Sequence, residues 1–241
     1  MTRLVRSPAW LAAHLLVITV IAMFVTLGTW QLRRLDERRL ENAVGFARST
    51  ADPVDLAVAL DAAGADVASL EHRRVFVAGR FDPDHEALVR SQVLDGRAGF
   101  HVLTPLVLAD GRALIVNRGW IPLELDRVPV AAAPPPAGEL MVEGVVGLSR
   151  SRGSLGPQDA PGATTVSRID LTHLDSVVPA SLMPVWVQLE QPASSLPVPL
   201  EPPSFEDDGP HLAYALQWFS FGVITLVGYG ALLRRATRSG P

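Results

Sequence analysis

The chain has 241 residues, with 21 basic and 25 acidic side chains, so its formal net charge is only −4. This balance excludes a nucleic-acid binder that works through bulk positive charge. The chain contains no cysteine, which excludes disulfide scaffolds, thiolate zinc sites, iron–sulfur clusters, thiol-based copper carriers and cysteine nucleophiles. Hydrophobic residues make up 48% of the chain, as in many globular proteins, but they are concentrated in two segments.

The two segments are predicted to be transmembrane helices, at residues 9–30 and 211–233. Each has about 22 residues without a formal charge, which gives roughly 33 Å of helix, enough to cross a bilayer core. A cleaved signal peptide is the alternative for the first segment, but no small-x-small cleavage motif precedes Gln31. A soluble helical hairpin is disfavoured because neither segment has a charged face.

Charges flanking the spans predict the orientation. Three arginines follow the second span, whereas only acidic residues precede it: Arg234, Arg235 and Arg238 against Glu201, Glu206, Asp207 and Asp208. Residues 1–8 and 234–241 are therefore expected in the cytoplasm, with the intervening chain outside. Arg33, Arg34, Arg38 and Arg39 count against this orientation and call for a functional explanation.

Residues 31–191 are predicted to form a mainly-β (α+β) extracytoplasmic domain. Six segments rich in Val, Leu and Ile predict strands, at 74–81, 86–94, 97–109, 112–120, 140–148 and 184–190. Asp95-Gly96 and Asp110-Gly111 are typical of type I′ hairpins. An antiparallel barrel or sandwich closes such a sheet. Two short helices are predicted, at 53–63 with Asp52 as N-cap and at 169–177 around Asp170. Residues 131–138 are predicted to form a loop. Residues 192–210 contain six prolines and are predicted to form a semi-rigid tether.

No catalytic constellation is found, so no catalytic residue and no enzyme activity are predicted. There is no Gly-x-Ser-x-Gly elbow, no Walker loop and no dinucleotide fingerprint. Asp82, Asp84, His85 and Glu86 form an acidic cluster that either holds a hard cation or makes a turn, and Asp-Pro-Asp between two strands favours the turn.

Histidine is the remaining strong metal ligand. His72, His85, His101 and His173 are expected to be surface or packed residues. His14 lies inside the first span, where a functional role and a hydrogen bond between helices are equally favoured. His211 opens the second span and begins a stripe of Tyr214, Trp218, Gly222, Thr225 and Tyr229 at helical spacing. The stripe is either an aromatic belt with a notch for the other helix, or a flat cofactor site.

The first span ends in Trp30, Gln31, Arg33 and Arg34, at the depth expected for His211. Guanidinium groups pair with carboxylates, so Arg33 and Arg34 are candidates for the propionates of a porphyrin whose tail lies in lipid. A lipid headgroup is the alternative partner.

Several segments together resemble the Surfeit locus protein 1 family, the assembly factors of cytochrome c oxidase. They are GTWQLRRL after the first span, VAGRF, GFHVLTPL and VNRGWIP in the β domain, and HLAYALQWFSFG at the second span. The resemblance implies a two-span protein of the bacterial plasma membrane that binds haem a transiently and assists its insertion into oxidase subunit I. The implied partners are subunit I, other oxidase subunits or haem a synthase, together with membrane lipid; no nucleic acid is expected.

Carried over by position, the resemblance makes His211 the expected haem-iron ligand, with Tyr214 and Trp218 as its aromatic neighbours. Gly28, Trp30, Gln31 and Arg33 match the first-span motif, and Gly79 and residues 117–120 match typical β-domain positions. For the Asn117-Arg118-Gly119-Trp120 segment a structural role is favoured, except that Arg118 is expected to face the membrane surface beside Arg33 and to contribute to cofactor binding. A cofactor-free scaffold that docks on nascent oxidase subunits is the alternative function, and an exterior hydrolase a third.

Overall fold

The computed structural model describes residues 7–153, 156–190 and 196–238. The chain divides into two compact units, one made of residues 1–44 and 205–241 and the other of residues 45–204. The first unit is helical and the second mainly β. The predicted fold class, two apolar helices flanking a mainly-β domain with short helices, is confirmed.

The helical unit consists of a long first helix and the last helix of the chain. Helix α1 runs from Pro8 to Thr50, and helix α4 from His211 to Arg238. Both are long and apolar enough to cross a membrane by length and composition. Helix α1 continues some twenty residues past the predicted span, and its 43 residues extend for about 65 Å. Good helix formers and the ion pairs Arg34–Glu37 and Arg38–Glu41 support this extension.

Helices α1 and α4 pack antiparallel along matching stripes. The less exposed residues recur at alternating spacings of three and four, at positions 14, 17, 21, 24, 28, 31 and 35 of α1 and 211, 215, 218, 222, 225 and 229 of α4. This is the spacing of a left-handed helix pair.

The β unit contains eight strands, five of which close into a barrel. The strands are β1 (Val54–Asp55), β2 (Arg74–Phe81), β3 (Ala87–Leu94), β4 (Arg97–Val107), β5 (Ala113–Pro122), β6 (Glu139–Leu148), β7 (Thr165–Val166) and β8 (Leu182–Leu189). The ring order is β2-β6-β8-β5-β4, closed by pairing of β4 with β2. Each of the six predicted strands is present. The barrel is not wholly antiparallel, because β5 and β8 run parallel.

The barrel is filled by apolar side chains on the inward faces of its strands, including Val75, Leu106, Leu114, Val146 and Val187. Two short helices, α2 (Leu56–Ala63) and α3 (Leu171–Leu174), lie outside the sheet. The predicted N-cap Asp52 is wrong. Asp55 caps α2 by accepting hydrogen bonds from the backbone N–H groups of Ala57 and Val58, because residues 54–55 pair with β2 before the helix begins. The helix predicted around Asp170 is present, and the Asp170 side chain caps it by accepting a hydrogen bond from the Thr172 backbone N–H.

The two Asp-Gly turns differ. Asp95 and Gly96 both have positive φ, 49° and 73°, as a type I′ turn requires. At Asp110-Gly111 only Gly111 has a positive φ, of 84°. A type I′ turn requires positive φ at both residues, so this turn is not type I′. The Pro-rich segment also differs from a free spacer, because Val198 forms a bridge with Trp120 through two hydrogen bonds of 2.8 Å.

Candidate functional site

The site centres on His211, the first residue of α4. Its Nδ1 lies 2.9 Å from Oε1 of Gln31 on α1. A carboxamide oxygen only accepts hydrogen bonds, so in a neutral imidazole this contact favours the tautomer with the proton on Nδ1 and the lone pair on Nε2. A second group that holds one ring nitrogen is the usual way in which proteins orient a histidine for metal binding.

Gly209 lies beside Nε2 of His211. This residue has φ of 73°, and a Cβ placed on it would lie 3.5 Å from Nε2 of His211. A residue with a side chain here would be strained by the positive φ, while its Cβ would make an ordinary van der Waals contact with the imidazole. Glycine therefore suits both the turn into α4 and access to the ring nitrogen.

The chain before His211 is fixed to α1 by Asp208. Arg39 Nε donates to Oδ2 of Asp208 at 2.9 Å, and Asn42 Nδ2 donates to Oδ1 at 3.2 Å and to the Asp207 carbonyl at 3.1 Å. The hydrogen bond from Arg39 lowers the pKa of the Asp208 carboxyl. The start of α4 is thus held at two levels, by Gln31 and by the Arg39–Asn42 pair.

The deeper part of the stripe is used to pack the two helices. Trp218 stacks on Phe24 with ring centroids 5.9 Å apart and planes at 24°. Gly222 is buried with Phe24 Cβ as its neighbour, and a Cβ on Gly28 would come 2.5 Å from the Phe219 ring. The notch at Gly222 is therefore occupied by α1, and a planar group stacked over this glycine is excluded.

Tyr214 and Trp30 lie on the outside of the helix pair. Their exposed fractions are 47% and 51%. At about 100° per residue in an antiparallel pair, both fall on the same flank, beside His211 and Gln31. This flank offers an oriented imidazole next to two accessible aromatic rings.

The structure separates the four arginines that follow the first span. Three pair with carboxylates: Arg34 with Glu37, Arg38 with Glu41 and Arg39 with Asp208. Within the described residues Arg33 has no such partner, and it lies about 200° around α1 from Gln31, on the face opposite α4. Arg34 falls on the Tyr214 flank, and its exposed ion pair is weak enough to exchange.

The expectation that Arg118 faces a membrane surface is wrong. Arg118 is 6% exposed. Its Nη1 donates to Oε1 of Glu86 at 2.9 Å, and its Nη2 to the Ala133 carbonyl at 2.8 Å. Glu86 in turn accepts from Thr104 and from the Val130 backbone N–H. Burial lowers the pKa of Arg118, and the Glu86 carboxylate opposes this shift. The guanidinium and its partner Glu86 fix the 130–133 loop to the barrel, so Arg118 does not belong to the candidate site.

The neighbours of Arg118 have structural roles. Asn117 Oδ1 accepts from the Gly119 N–H at 3.2 Å, next to the irregularity in the pairing of β4 with β5. Gly119 has φ of 127°, and a Cβ there would collide with the Val198 carbonyl oxygen. The segment therefore seats the chain around Val198 on the barrel, in agreement with the predicted structural role.

The acidic cluster at residues 82–86 is a turn. Asp82 accepts from the Asp84 N–H at 3.3 Å and contacts His85 Nδ1 at 2.7 Å, while Glu86 points into the buried network. Within the described ranges no group of three or more His, Asp or Glu side chains is placed to hold a metal ion.

The remaining histidines differ in their surroundings. His14 Nδ1 is hydrogen-bonded to the Tyr229 hydroxyl across the two helices. This favours the interpretation that His14 links the helices. Burial lowers the pKa of His101 to about 4. His173 contacts the Ala163 carbonyl at 3.0 Å through Nε2.

Sequence reasoning assigned Gln31 no role of its own. The sequence signal for such a role was the position of Gln31. It directly follows the first span, and His211, the first residue of the second span, is expected at the same membrane depth. Its partnership with His211 joins residues 180 positions apart in the chain, which no local pattern reveals.

Comparison with known proteins gives a consistent result. A profile described as the SURF1 family matches residues 18–223. An uncharacterized SURF1-like protein of Mycobacterium tuberculosis is 30% identical over 235 residues, covering 92% of this chain and 83% of the relative. A SURF1-like protein of Monosiga brevicollis is 31% identical, covering 89% and 85%. Surfeit locus protein 1 of Takifugu rubripes is 32% identical over 143 residues, covering 52% and 58%. The chain belongs to the SURF1 family.

Proposed function

We propose that this chain is a cytochrome c oxidase assembly factor that holds haem a transiently at His211 and assists its insertion into subunit I. The SURF1 family is generally one of cytochrome oxidase assembly factors. The observation that carries the finer proposal is the His211–Gln31 hydrogen bond, which presents Nε2 as a free donor to iron.

The surroundings of His211 fit a porphyrin as cargo. Tyr214 and Trp30 offer rings to the macrocycle at the flank, and Gly209 leaves room beside the coordinating nitrogen. Arg34 lies on the same flank and is our candidate for a propionate, since a guanidinium pairs bidentately with carboxylate. We assign Arg33, on the opposite face, to a lipid headgroup.

The proposed hand-off depends on one ligand. A single imidazole leaves the opposite face of the iron open, so the receiving subunit can bind before His211 releases. The hydrogen bond from Nδ1–H to Gln31 raises the basicity of Nε2 and holds the ring orientation while the site is empty. The protein performs no bond-making reaction in this proposal, which is why we propose a non-enzymatic role.

The proposal places the chain in the bacterial plasma membrane, with α1 and α4 crossing it and the barrel outside. The four arginines after the first span are compatible with this orientation, because long domains translocate largely regardless of flanking charge. Haem a synthase is the proposed source of the cargo, and subunit I its destination.

A cofactor-free scaffold is the second candidate, favoured by exposed apolar side chains on the α1 extension. Leu40 and Val44 are 68% and 39% exposed and lie four residues apart on one helix face. Such a face suits a partner helix. In this alternative the two helices hold nascent oxidase subunits without carrying haem.

The oxidase made in cells separates the two functions. Subunit I is purified from cells that contain the wild-type chain, the His211→Ala variant or no chain, and the haem a content per subunit I is measured. The proposal predicts subunit I with at most about half of its haem a in the variant. The scaffold is supported instead if subunit I from His211→Ala cells has a normal haem a content and if subunit I is lost only in cells without the chain. Association with subunit I in cells blocked in haem synthesis is the scaffold's second test.

A further inference from the structure

Two buried side-chain nitrogens in the described parts of the chain have no hydrogen-bond partner, Nη1 of Arg73 and Nε1 of Trp120. Buried polar groups are nearly always paired, so each exception calls for an explanation. Trp120 Nε1 lies against the backbone of Gly99, where a Cβ would approach it within 2.6 Å, and there is no space for a ligand. Arg73, in contrast, lines a cavity.

The Arg73 cavity lies against α2 and the short 3₁₀ helix Val67–Leu70 and has a volume of about 340 Å³. Its other walls are mainly apolar, formed by side chains that include Val54, Val58, Ala62 and Leu70. Val58 is 65% exposed, so the cavity opens to solvent on the α2 side. The volume is at the lower end of the range for small-molecule sites.

The position of Arg73 follows from the barrel. Side chains alternate along a strand, and Val75 and Val77 of β2 point into the core. Arg73 directly precedes this strand and shares the inward face, at the end of the barrel covered by α2. The Arg73 side chain is half-buried, and its buried Nη1 lacks the hydrogen bond that a buried donor usually makes.

The barrel satisfies its buried arginine, Arg118, from within. Arg118 is bonded to Glu86 and to the Ala133 carbonyl, whereas no carboxylate in the described residues pairs with Arg73. The neighbouring Arg74 pairs with Glu143 and Glu190. No acceptor for Arg73 Nη1 is found among the described residues, so an anion that enters the cavity can supply one.

We infer that this cavity binds a small free carboxylic acid with an aliphatic body. The carboxylate pairs with the Arg73 guanidinium, and the aliphatic chain lies against Val58, Ala62 and Leu70. The apolar walls select a hydrocarbon body over a bare inorganic anion, and the single guanidinium selects one carboxylate. This site belongs to the β unit and does not depend on haem binding by His211.

The test is a titration of the full chain in phosphatidylcholine nanodiscs, with alanine methyl groups labelled with ¹³C. Sodium hexanoate is expected to shift the Ala59, Ala62 and Ala63 methyl signals in a saturable manner. Hexanamide has the same hydrocarbon body as hexanoate but no charge, and it is expected to bind at least about tenfold more weakly. Acetate has the charge but lacks the hydrocarbon body, and it is also expected to bind at least about tenfold more weakly.

Two variants locate the site. Arg73→Met is expected to weaken hexanoate binding by about tenfold or more, with unfolding temperature equal to or above that of the wild type, because the unpaired cation is removed. Ala62→Phe keeps the cation but fills the mouth of the cavity and is expected to abolish the shifts. Arg80→Met, at an exposed arginine of β2, is the control and should bind normally. Methyl shifts that do not saturate with hexanoate, or that persist unchanged in Arg73→Met, would overturn the inference. Binding of a glutamate-containing peptide in place of hexanoate would also overturn it.

Discussion

At the scale of single residues, the site depends on the pair of His211 and Gln31, and the sequence pattern predicts only one of the two. His211 is predicted from its place at the start of an aromatic stripe. Gln31 is not, because its role requires knowledge of which turn of α1 faces the start of α4. The prediction that Arg118 is exposed is wrong for a related reason. An arginine in a strand is expected at the surface, and only Glu86, 32 residues earlier, makes its burial possible.

The Gln31 hydrogen bond gives the first prediction at this scale. Gln31→Leu removes the acceptor for Nδ1–H, so the His211 ring loses its fixed tautomer and orientation. We expect haem a affinity to fall by roughly tenfold to a hundredfold. Gln31→Glu, which retains an acceptor oxygen, should recover most of the affinity.

The measurement combines a haem a titration with ¹⁵N spectra of the His211 ring. The spectra should show a single Nδ1–H tautomer in the wild type and a mixture in Gln31→Leu. The control is Gln217→Leu, at an exposed glutamine of α4. If Gln31→Leu retains wild-type affinity, the positioning role is contradicted.

His101 gives a pH-dependent prediction for the β unit. Burial lowers its pKa to about 4 from an ordinary value of 6.5, so between these values the unfolded chain binds the proton more readily. Stability from the neutral imidazole is complete above pH 6.5 and is lost as the pH falls towards 4. We expect the free energy of unfolding to decrease over this range.

Urea unfolding of the full chain at several pH values, followed by circular dichroism, measures this effect. His101→Gln should flatten the dependence on pH between 6.5 and 4, whereas the control His173→Gln should leave it unchanged. An equal slope for wild type and His101→Gln would show that another group is responsible.

At the scale of elements, the strands are well predicted because turn residues and runs of Val, Leu and Ile mark them locally. The extension of α1 to Thr50 is missed, since charged residues after an apolar run are naturally interpreted as its flank at the membrane surface. The arginines that seemed costly there are accounted for mainly by carboxylates three residues away or at Asp208. The parallel pairing of β5 with β8 is also beyond sequence reading, because a hairpin pattern describes only neighbouring strands.

The seat of Val198 on the barrel gives the prediction at this scale. A Cβ at Gly119 would overlap the Val198 carbonyl and would require a strained φ of 127°. Gly119→Ala is expected to cost about 1–3 kcal/mol of stability and to release the chain around Val198. Gly111→Ala, at φ of 84° in open space, is the matched control for backbone strain alone.

Limited proteolysis and thermal unfolding are the measurements. Gly119→Ala should be cleaved near Val198 and unfold at lower temperature, whereas Gly111→Ala should lose a smaller amount of stability without the new cleavage. Protection of this segment in Gly119→Ala would contradict the anchoring role of Trp120 and Val198.

At the scale of the whole molecule, two apolar spans and a β domain are readable from hydropathy and turn spacing. The choice of a barrel over a sandwich, its strand order and the residues that pair the two helices are not, because they depend on contacts between distant segments. The stripe on α4 shows this limit most clearly. Its deeper half, Trp218 and Gly222, packs against Phe24, and only its outer end at His211 and Tyr214 is left for a ligand.

The central claim is that His211 Nε2 is the haem a ligand. The most direct measurement is the absorption spectrum and haem a occupancy of the purified full chain, compared with His211→Gly in the absence and presence of imidazole. We predict that occupancy falls to less than about a tenth in His211→Gly, because the axial nitrogen is lost, and that added imidazole restores both occupancy and spectrum. Equal occupancy in the wild type and in His211→Gly without imidazole would contradict the account.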